Sequence, residues 1–210
     1  MTVETLPKPS RESARVKLLR AAVEVIRAKG YSATSVDELC AAAGVTKGGF
    51  FHHFDSKESL AVAAAGFWSE TTAALFAAAP YHDYAAPLDR VLGYIDFRAS
   101  LIAGPLAGFT CLVGTMVQEC YGTSAAIRDA CGASIFGHAE SLEADLDLAL
   151  AQYAVRGTTA RSLAQHTQAV LQGAFILAKA GGGHQAAAAS VAHLKRYVEL
   201  LFQPTKGGGP

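Results

Sequence analysis

No stretch of eighteen apolar residues runs unbroken in this 210-residue chain, although 51% of it is apolar. A membrane-spanning helix is therefore not expected. Catalytic signatures are missing too. No glycine-rich phosphate loop, G-x-S-x-G elbow or H-E-x-x-H occurs, and the histidines are not grouped with acids at catalytic spacing, which argues against an enzyme. There is no Cys-x-x-Cys and no histidine pair at i, i+4. Cys111 and Cys120 are nine residues apart, which on one helix turns them to opposite faces. Neither a metal nor a cofactor is expected on these grounds. Strand-like alternation appears nowhere at useful length and no segment repeats, so the chain reads as all-α.

Against these absences one segment stands out, TSVDELCAAAGVTKGGFFHHFDSKESL from Thr34 to Leu60. Ser35 is a good helix N-cap, and Glu38 three residues on completes a capping box. Val36, Leu39, Cys40 and Ala43 form an apolar stripe at i, i+3, i+4 and i+7. Gly44 ends that helix where a left-handed residue is wanted, and Thr46 caps the next one within two residues. Two helices joined by so tight a turn are the pattern of a helix-turn-helix, whose second helix enters the DNA major groove.

The second helix, Thr46 to His53, is poor in acids and carries Lys47 in its first turn. Gly48 and Gly49 each cost about 0.5–1 kcal/mol relative to alanine inside a helix. Close approach of backbone to phosphate or base edges would explain both. Lys57 starts the next helix, where a cation opposes the macrodipole unless a phosphate lies beside it. The alternative is a slightly disfavoured surface lysine.

This block resembles the N-terminal domain of the TetR family of one-component transcriptional repressors. The shared pattern runs through Thr34, Ser35, Val36, Leu39, Ala43, Gly44, Val45, Thr46, Gly48, Phe50, Phe54, Ser56, Lys57 and Leu60. Upstream, Ala21, Ala22, Gly30 and Tyr31 fit the family's first helix. The resemblance implies DNA contact by Ser35, Thr46, Lys47, Gly48, Gly49, Phe51, His53 and Lys57. Three positions depart from the family. Gly49 replaces a usual Thr or Ser, Phe51 a phosphate-contacting Tyr, and His53 a second common Tyr. Hydroxyl donors are thus lost, and contact should lean on Thr46, Lys47, His53 and Lys57. The chain's 18 basic and 18 acidic residues balance, but residues 1–60 hold nine Lys or Arg against seven Asp or Glu. Arg11, Arg15, Lys17 and Arg20 add a modest basic bias suited to phosphates.

The remainder reads as helices. The first is expected over Ala14 to Ala28 and the fourth from Ser56 to Ala79. Further helices fit Leu88–Ile102, Leu106–Cys120, Ser124–Tyr153, Thr159–Ala180 and Gln185–Phe202. The boundaries follow glycine and proline breakers. Residues 1–12 read as a disordered arm rather than a signal peptide, which implies a cytoplasmic protein, and 204–210 as a disordered tail. Between them, residues 13–60 are expected to form the DNA-binding domain and 61–203 a helical regulatory and dimerisation domain.

Two C-terminal stripes predict assembly. Leu163, Val170, Ala174 and Leu177 share one face, and Val191, Leu194, Val198 and Leu201 another. The family resemblance implies that such helices pair in a homodimer, which would set two recognition helices on two half-sites. Packing within the chain's own core would give the same spacing. A pocket for a small-molecule inducer is expected among Phe67, Trp68, Phe97, Phe109, Cys111, Met116, Gln118, Phe136 and His138. Thr110 should cap a helix with Cys111 in its first turn, favouring a reactive thiolate. That segment, FTCLVGTMVQEC, is similar to one in TetR-type repressors that sense electrophiles or oxidants. The alternative for Cys111 is a small buried hydrophobe.

The expected function is a dimeric, ligand-responsive repressor bound to a palindromic operator. Cysteine-based sensing through Cys111 is the alternative, with a helical adaptor or an enzyme as remoter ones. Its partners would be double-stranded DNA, a second copy of itself and an unidentified inducer, with no membrane.

Overall fold

The structure, a computed structural model, describes residues 12–203. Eleven α-helices and no strand occur among the described residues. Helix α1 (Ala14–Lys29) starts at Ser13, whose side chain accepts from the Val16 amide, and stops at Gly30, with φ 94°. Helix α2 (Val36–Ala43) carries the predicted Ser35–Glu38 capping box and ends at left-handed Gly44. Helix α3 (Lys47–His53) is capped by Thr46, and α4 (Lys57–Ala77) by Ser56. A 3-10 turn over Pro80–Asp83 leads to α5 (Pro87–Ser100).

Two predicted helices each prove to be two. Instead of one helix over 106–120, α6 (Leu106–Phe109) and α7 (Leu112–Cys120) meet at Thr110–Cys111. Both residues are extended there, and the Thr110 hydroxyl turns back to donate to the Leu106 carbonyl. Cys111, not Thr110, is the cap of α7. Its sulfur accepts from the Gly114 amide at 3.4 Å. Instead of one helix over 124–153, α8 (Ala125–Glu140) and α9 (Glu143–Gln152) break at Ser141–Leu142. No glycine or proline marks that break. The Ser141 hydroxyl donates to the His138 carbonyl, and Leu142 is buried, so the turn brings α9 back against α5. Last come α10 (Ala160–Leu177), a π-helical kink with Gly181 at φ 120°, and α11 (Gly183–Leu201).

Two hydrophobic clusters hold these helices. The lower one joins Leu18, Leu19 and Ile26 of α1, Leu39, Phe50 and Leu60 to Leu112, Met116, Ile127 and Cys131 of α7 and α8. Each such side chain, fully buried, contributes about 1.5–3 kcal/mol over leaving it in water. Packing therefore runs across the division expected at Leu60. The upper cluster joins the end of α4 to α5, α9, α10 and α11. By composition α4 is long and apolar enough to cross a membrane, with a mean hydropathy of 1.3, despite the polar break at Ser69–Thr72. Its alanines instead pack against α1 and α8.

The C-terminal stripes require a correction. Leu163, Ala174, Val191, Leu194 and Val198 are buried in the protein's own upper cluster, with Val170 and Leu201 half-buried against it. Of the eight expected interface residues, only Leu177 faces outward, 54% exposed. The physical reason is that α10 and α11 pack on each other, and α11 on α5, so the most regular stripe goes to the core. The outward apolar groups are Ile176, Leu177, Tyr197 and Leu200.

Candidate DNA-contact surface and ligand cavity

The α2–α3 hairpin presents a short, mostly exposed helix. The Thr46 hydroxyl accepts from the Gly49 amide at 3.1 Å, which satisfies one of the four N-terminal N–H groups of α3. Lys47 lies 2.9 Å from Asp37 in an ion pair with both side chains more than half exposed. Such a pair is worth little and yields its lysine readily to a phosphate. Phe50 anchors the hairpin at no exposure, while Phe51 beside it is 50% exposed. His53 is half-buried, and His52, which sequence reasoning passed over, is exposed against it with ring centroids 4.9 Å apart.

The glycine pair has two explanations. A Cβ on Gly48 would meet nothing, so no packing demand puts glycine there. A Cβ on Gly49 would sit 2.9 Å from the Val45 side chain, so close packing within the turn accounts for that one.

Two expected contact residues have their polar groups committed inside the chain. The Ser35 hydroxyl accepts from the Glu38 amide and donates to its carboxylate. Glu38 also accepts from Lys29, and together these bonds, Lys29 first, hold its carboxyl down at about 2. Lys57 is the larger correction. Its ammonium donates to the carbonyls of Tyr31 at 3.1 Å and Thr34 at 2.9 Å, and lies 4.2 Å from the Tyr31 ring centroid. The cation at a helix N-terminus is explained by these acceptors, which tie α4 to the loop after α1, without a phosphate. Of the basic residues near the start, Arg20 pairs with Glu12 and Arg15 covers Phe54, while Arg11 lies outside the described residues.

A cavity of about 320 Å³ lies where α1, α4, α5, α7, α8 and α10 converge. Trp68, Phe109, Cys111 and His138, all expected at a pocket, do line it. The other five do not. Met116 is fully buried between α7 and α1, and Phe136 is 55% exposed. Phe67 packs half-buried on the lower cluster. Phe97 stands behind the Phe76 ring, edge-on at 5.4 Å. Gln118 donates to the Gly114 carbonyl and lines a separate cavity between α7 and α10.

Sequence reasoning missed the polar groups that give the cavity its character, Arg27, Arg98 and Gln168. Arg27, on α1, donates through Nε to the Thr110 carbonyl at 2.6 Å and lies 4.7 Å over the Trp68 ring. Burial lowers its affinity for the proton, though not enough to discharge a guanidinium. Gln168 donates to the Tyr94 hydroxyl at 3.1 Å, and that hydroxyl lies 3.0 Å from His138 Nε2. Burial, reinforced by Arg98, pushes the His138 imidazole down to about 4, so it is neutral at pH 7. No cluster of metal-ligating side chains occurs among the described residues. None of the four cysteines is in a disulfide, and only Cys111 is not buried.

A family model described as bacterial regulatory proteins, tetR family, matches residues 18–64, the span from α1 into α4. The chain therefore carries a TetR-family N-terminal domain. The transcriptional regulator AcuR of Cereibacter sphaeroides is 33% identical over 111 residues, covering 53% of this chain and 51% of that protein. The chain thus matches about half the length of that relative. Among solved structures, a regulatory protein TetR from Rhodobacter sphaeroides is 25% identical with a TM-score of 0.77, over 88% of this chain and 98% of that one. A TetR-family transcriptional regulator from Agrobacterium tumefaciens gives 22% identity and the same TM-score, over 88% and 96%. These TetR-family structures share the all-helical fold nearly end to end.

Proposed function

We propose that the protein is a DNA-binding transcriptional regulator that represses as a homodimer and is released from a palindromic operator by a small molecule. The observation that carries this reading is the α2–α3 hairpin, whose exposed face keeps Thr46, Lys47, Gly48, Phe51 and His52 clear of the core. Gly49 acts through turn geometry, and His53 donates at the end of α3. Lys57 and Ser35 hold the hairpin in place rather than touch DNA. Residues 13–60 read DNA in this scheme and 61–203 hold the ligand and the partner subunit. Apart from Glu12, the expected arm and tail at 1–12 and 204–210 lie outside the described residues. Such a regulator works in the cytoplasm, needs no cofactor and catalyses nothing.

The assembly surface moves to Ile176, Leu177, Tyr197 and Leu200, the outward apolar groups of α10 and α11. Ligand control has a short path. The cavity touches α1 through Arg27 and α4 through Trp68 and Phe76, and Glu119 of α7 accepts from the Tyr31 and Ser32 amides behind α1. Cysteine-based sensing is the second reading, because Cys111 borders two cavities from the cap position of α7. The test is selection of duplexes from random-sequence DNA followed by a salt titration. A retained palindromic site with steep salt dependence supports the reading, and no retained DNA at low salt rejects it.

A further inference from the structure

The cavity has positive charge and no negative charge to meet it. Arg98 of α5 lies 5.2 Å from the Phe76 ring centroid and 5.8 Å from that of Phe175, and its guanidinium makes no hydrogen bond or ion pair among the described residues. Position 98 is four residues after buried Tyr94 and three after buried Ile95, so the arginine occupies a core-facing position on α5. Arg27 uses only Nε, on Thr110, and likewise has no carboxylate partner among the described residues. The carboxylate acting on it, Glu24, lies one turn back on α1 and does not line the cavity. No Asp or Glu lines the cavity at all. Proximity to aromatic rings accounts for where the two guanidinium groups lie. It leaves the Arg98 N–H donors and the terminal N–H groups of Arg27, donors that match a carboxylate two at a time, unused.

We propose that this cavity binds a small organic carboxylate, with Arg98 and Arg27 as its anchors and the aromatic walls holding its apolar body. This rests on the ligand-responsive reading above and deepens it. Two like charges around one partly desolvated space repel each other, and one anion relieves both. The volume, about 320 Å³, is at the small end for ligand sites. Beyond the arginines the polar lining is neutral, Thr72, Ser134 and Gln168 among it. Those groups orient a small acid but do not neutralise a multiply charged one, which favours a monocarboxylate over a phosphate ester.

Trp68 is the chain's single tryptophan and lines the cavity, so its fluorescence reports occupancy without DNA. Phenylacetate, hexanoate, their neutral amides and phenyl phosphate are titrated into the full chain at pH 7, where both acids are ionised. At least one carboxylate should change Trp68 emission at a concentration about tenfold or more below that of its amide. Arg98→Gln should erase that preference, with Arg27→Gln as the second variant, each checked for a native helical spectrum. The proposal is overturned if an amide binds as well as its acid, if neither carboxylate binds, if phenyl phosphate binds tightest, or if the preference survives in both variants. Operator affinity is measured on the same preparations. A carboxylate that binds without releasing DNA defeats the ligand-responsive reading alone, and release by a neutral compound defeats only the carboxylate.

Discussion

Replacing Lys57 by alanine should destabilise the protein in the absence of DNA and leave the salt dependence of DNA binding unchanged. The ammonium donates to two backbone carbonyls, those of Tyr31 and Thr34, and faces the Tyr31 ring. A hydrogen bond from a charged donor contributes about 1.5–3 kcal/mol when well buried, and this head group is only half-buried, so about 1 kcal/mol each is the better figure. The ring contact adds roughly 0.5 kcal/mol. Removing a cation from a helix N-terminus returns about 0.3–1 kcal/mol. The net loss is about 1.5–2 kcal/mol. With a urea m-value of about 2–3 kcal/mol/M for a chain of this size, the midpoint should fall by about 0.7 M with m unchanged. Urea titration at fixed protein concentration measures this. Binding to a random-sequence duplex at several salt concentrations between about 50 and 200 mM measures the other arm. An unmoved midpoint with a salt slope reduced by roughly one would refute the structural role and return Lys57 to the phosphate backbone.

Glu119→Gln removes the charge that receives the Tyr31 and Ser32 amides, so about 1–2 kcal/mol should be lost, read as a lower unfolding midpoint. Leu200→Asp should give folded monomers in sedimentation, whereas Leu194→Asp should not fold, because it buries an unpaired charge; a stably folded Leu194→Asp would contradict the assigned core. Because His138 titrates at about 4 folded against about 6.5 unfolded, the unfolded chain alone takes up a proton between those values. Stability should therefore fall by up to roughly 3 kcal/mol as pH drops from 6.5 to 4, and His138→Phe should flatten that interval in thermal unfolding. Iodoacetamide on the native protein should modify Cys111 before Cys40, Cys120 or Cys131, as peptide mapping would show; prior loss of a buried thiol contradicts the packing.

The helices legible in the sequence were those with chemical punctuation at both ends. Helix α1 agrees to one residue because Gly30 stops it, and α2 and α3 agree because Ser35, Gly44 and Thr46 each have a single role. The break at Ser141–Leu142 was not legible, since what bends the chain there is the burial of Leu142, a tertiary effect. The dimer stripe failed for a related reason. Periodicity reports that a face is buried and is silent on whether the burying surface belongs to the same chain. The cavity was half legible. Aromatic residues alone do not mark it, because aromatics such as Phe97 also fill the core. The better signal was a polar residue at an apolar stripe position: Arg98 on α5, in phase with Val91, Tyr94 and Ile95, and Gln168 on α10, between Ala164 and Leu171. A chain does not place such groups inward without a partner for them.

Under the proposed function, the same packing gives a small ligand a route to DNA affinity. The lower cluster fuses α1 and the hairpin to α7 and α8, so the DNA-reading helices do not hang from α4 alone. Two polar ties cross that joint, and a third holds α4 to the DNA-reading side. Arg27 reaches the Thr110 carbonyl, Glu119 receives two amides after α1, and Lys57 clamps the loop between α1 and α2 to the start of α4. Of the three, only Arg27 lines the cavity described above, and it comes from the helix on which the hairpin packs. A tenfold change in operator affinity needs about 1.4 kcal/mol of coupling. The exchange of one charged hydrogen bond is of that size. A ligand that draws the Arg27 guanidinium from Thr110 therefore needs no large rearrangement to be felt at α3. It acts at the one tie shared by the cavity and the DNA-reading helices.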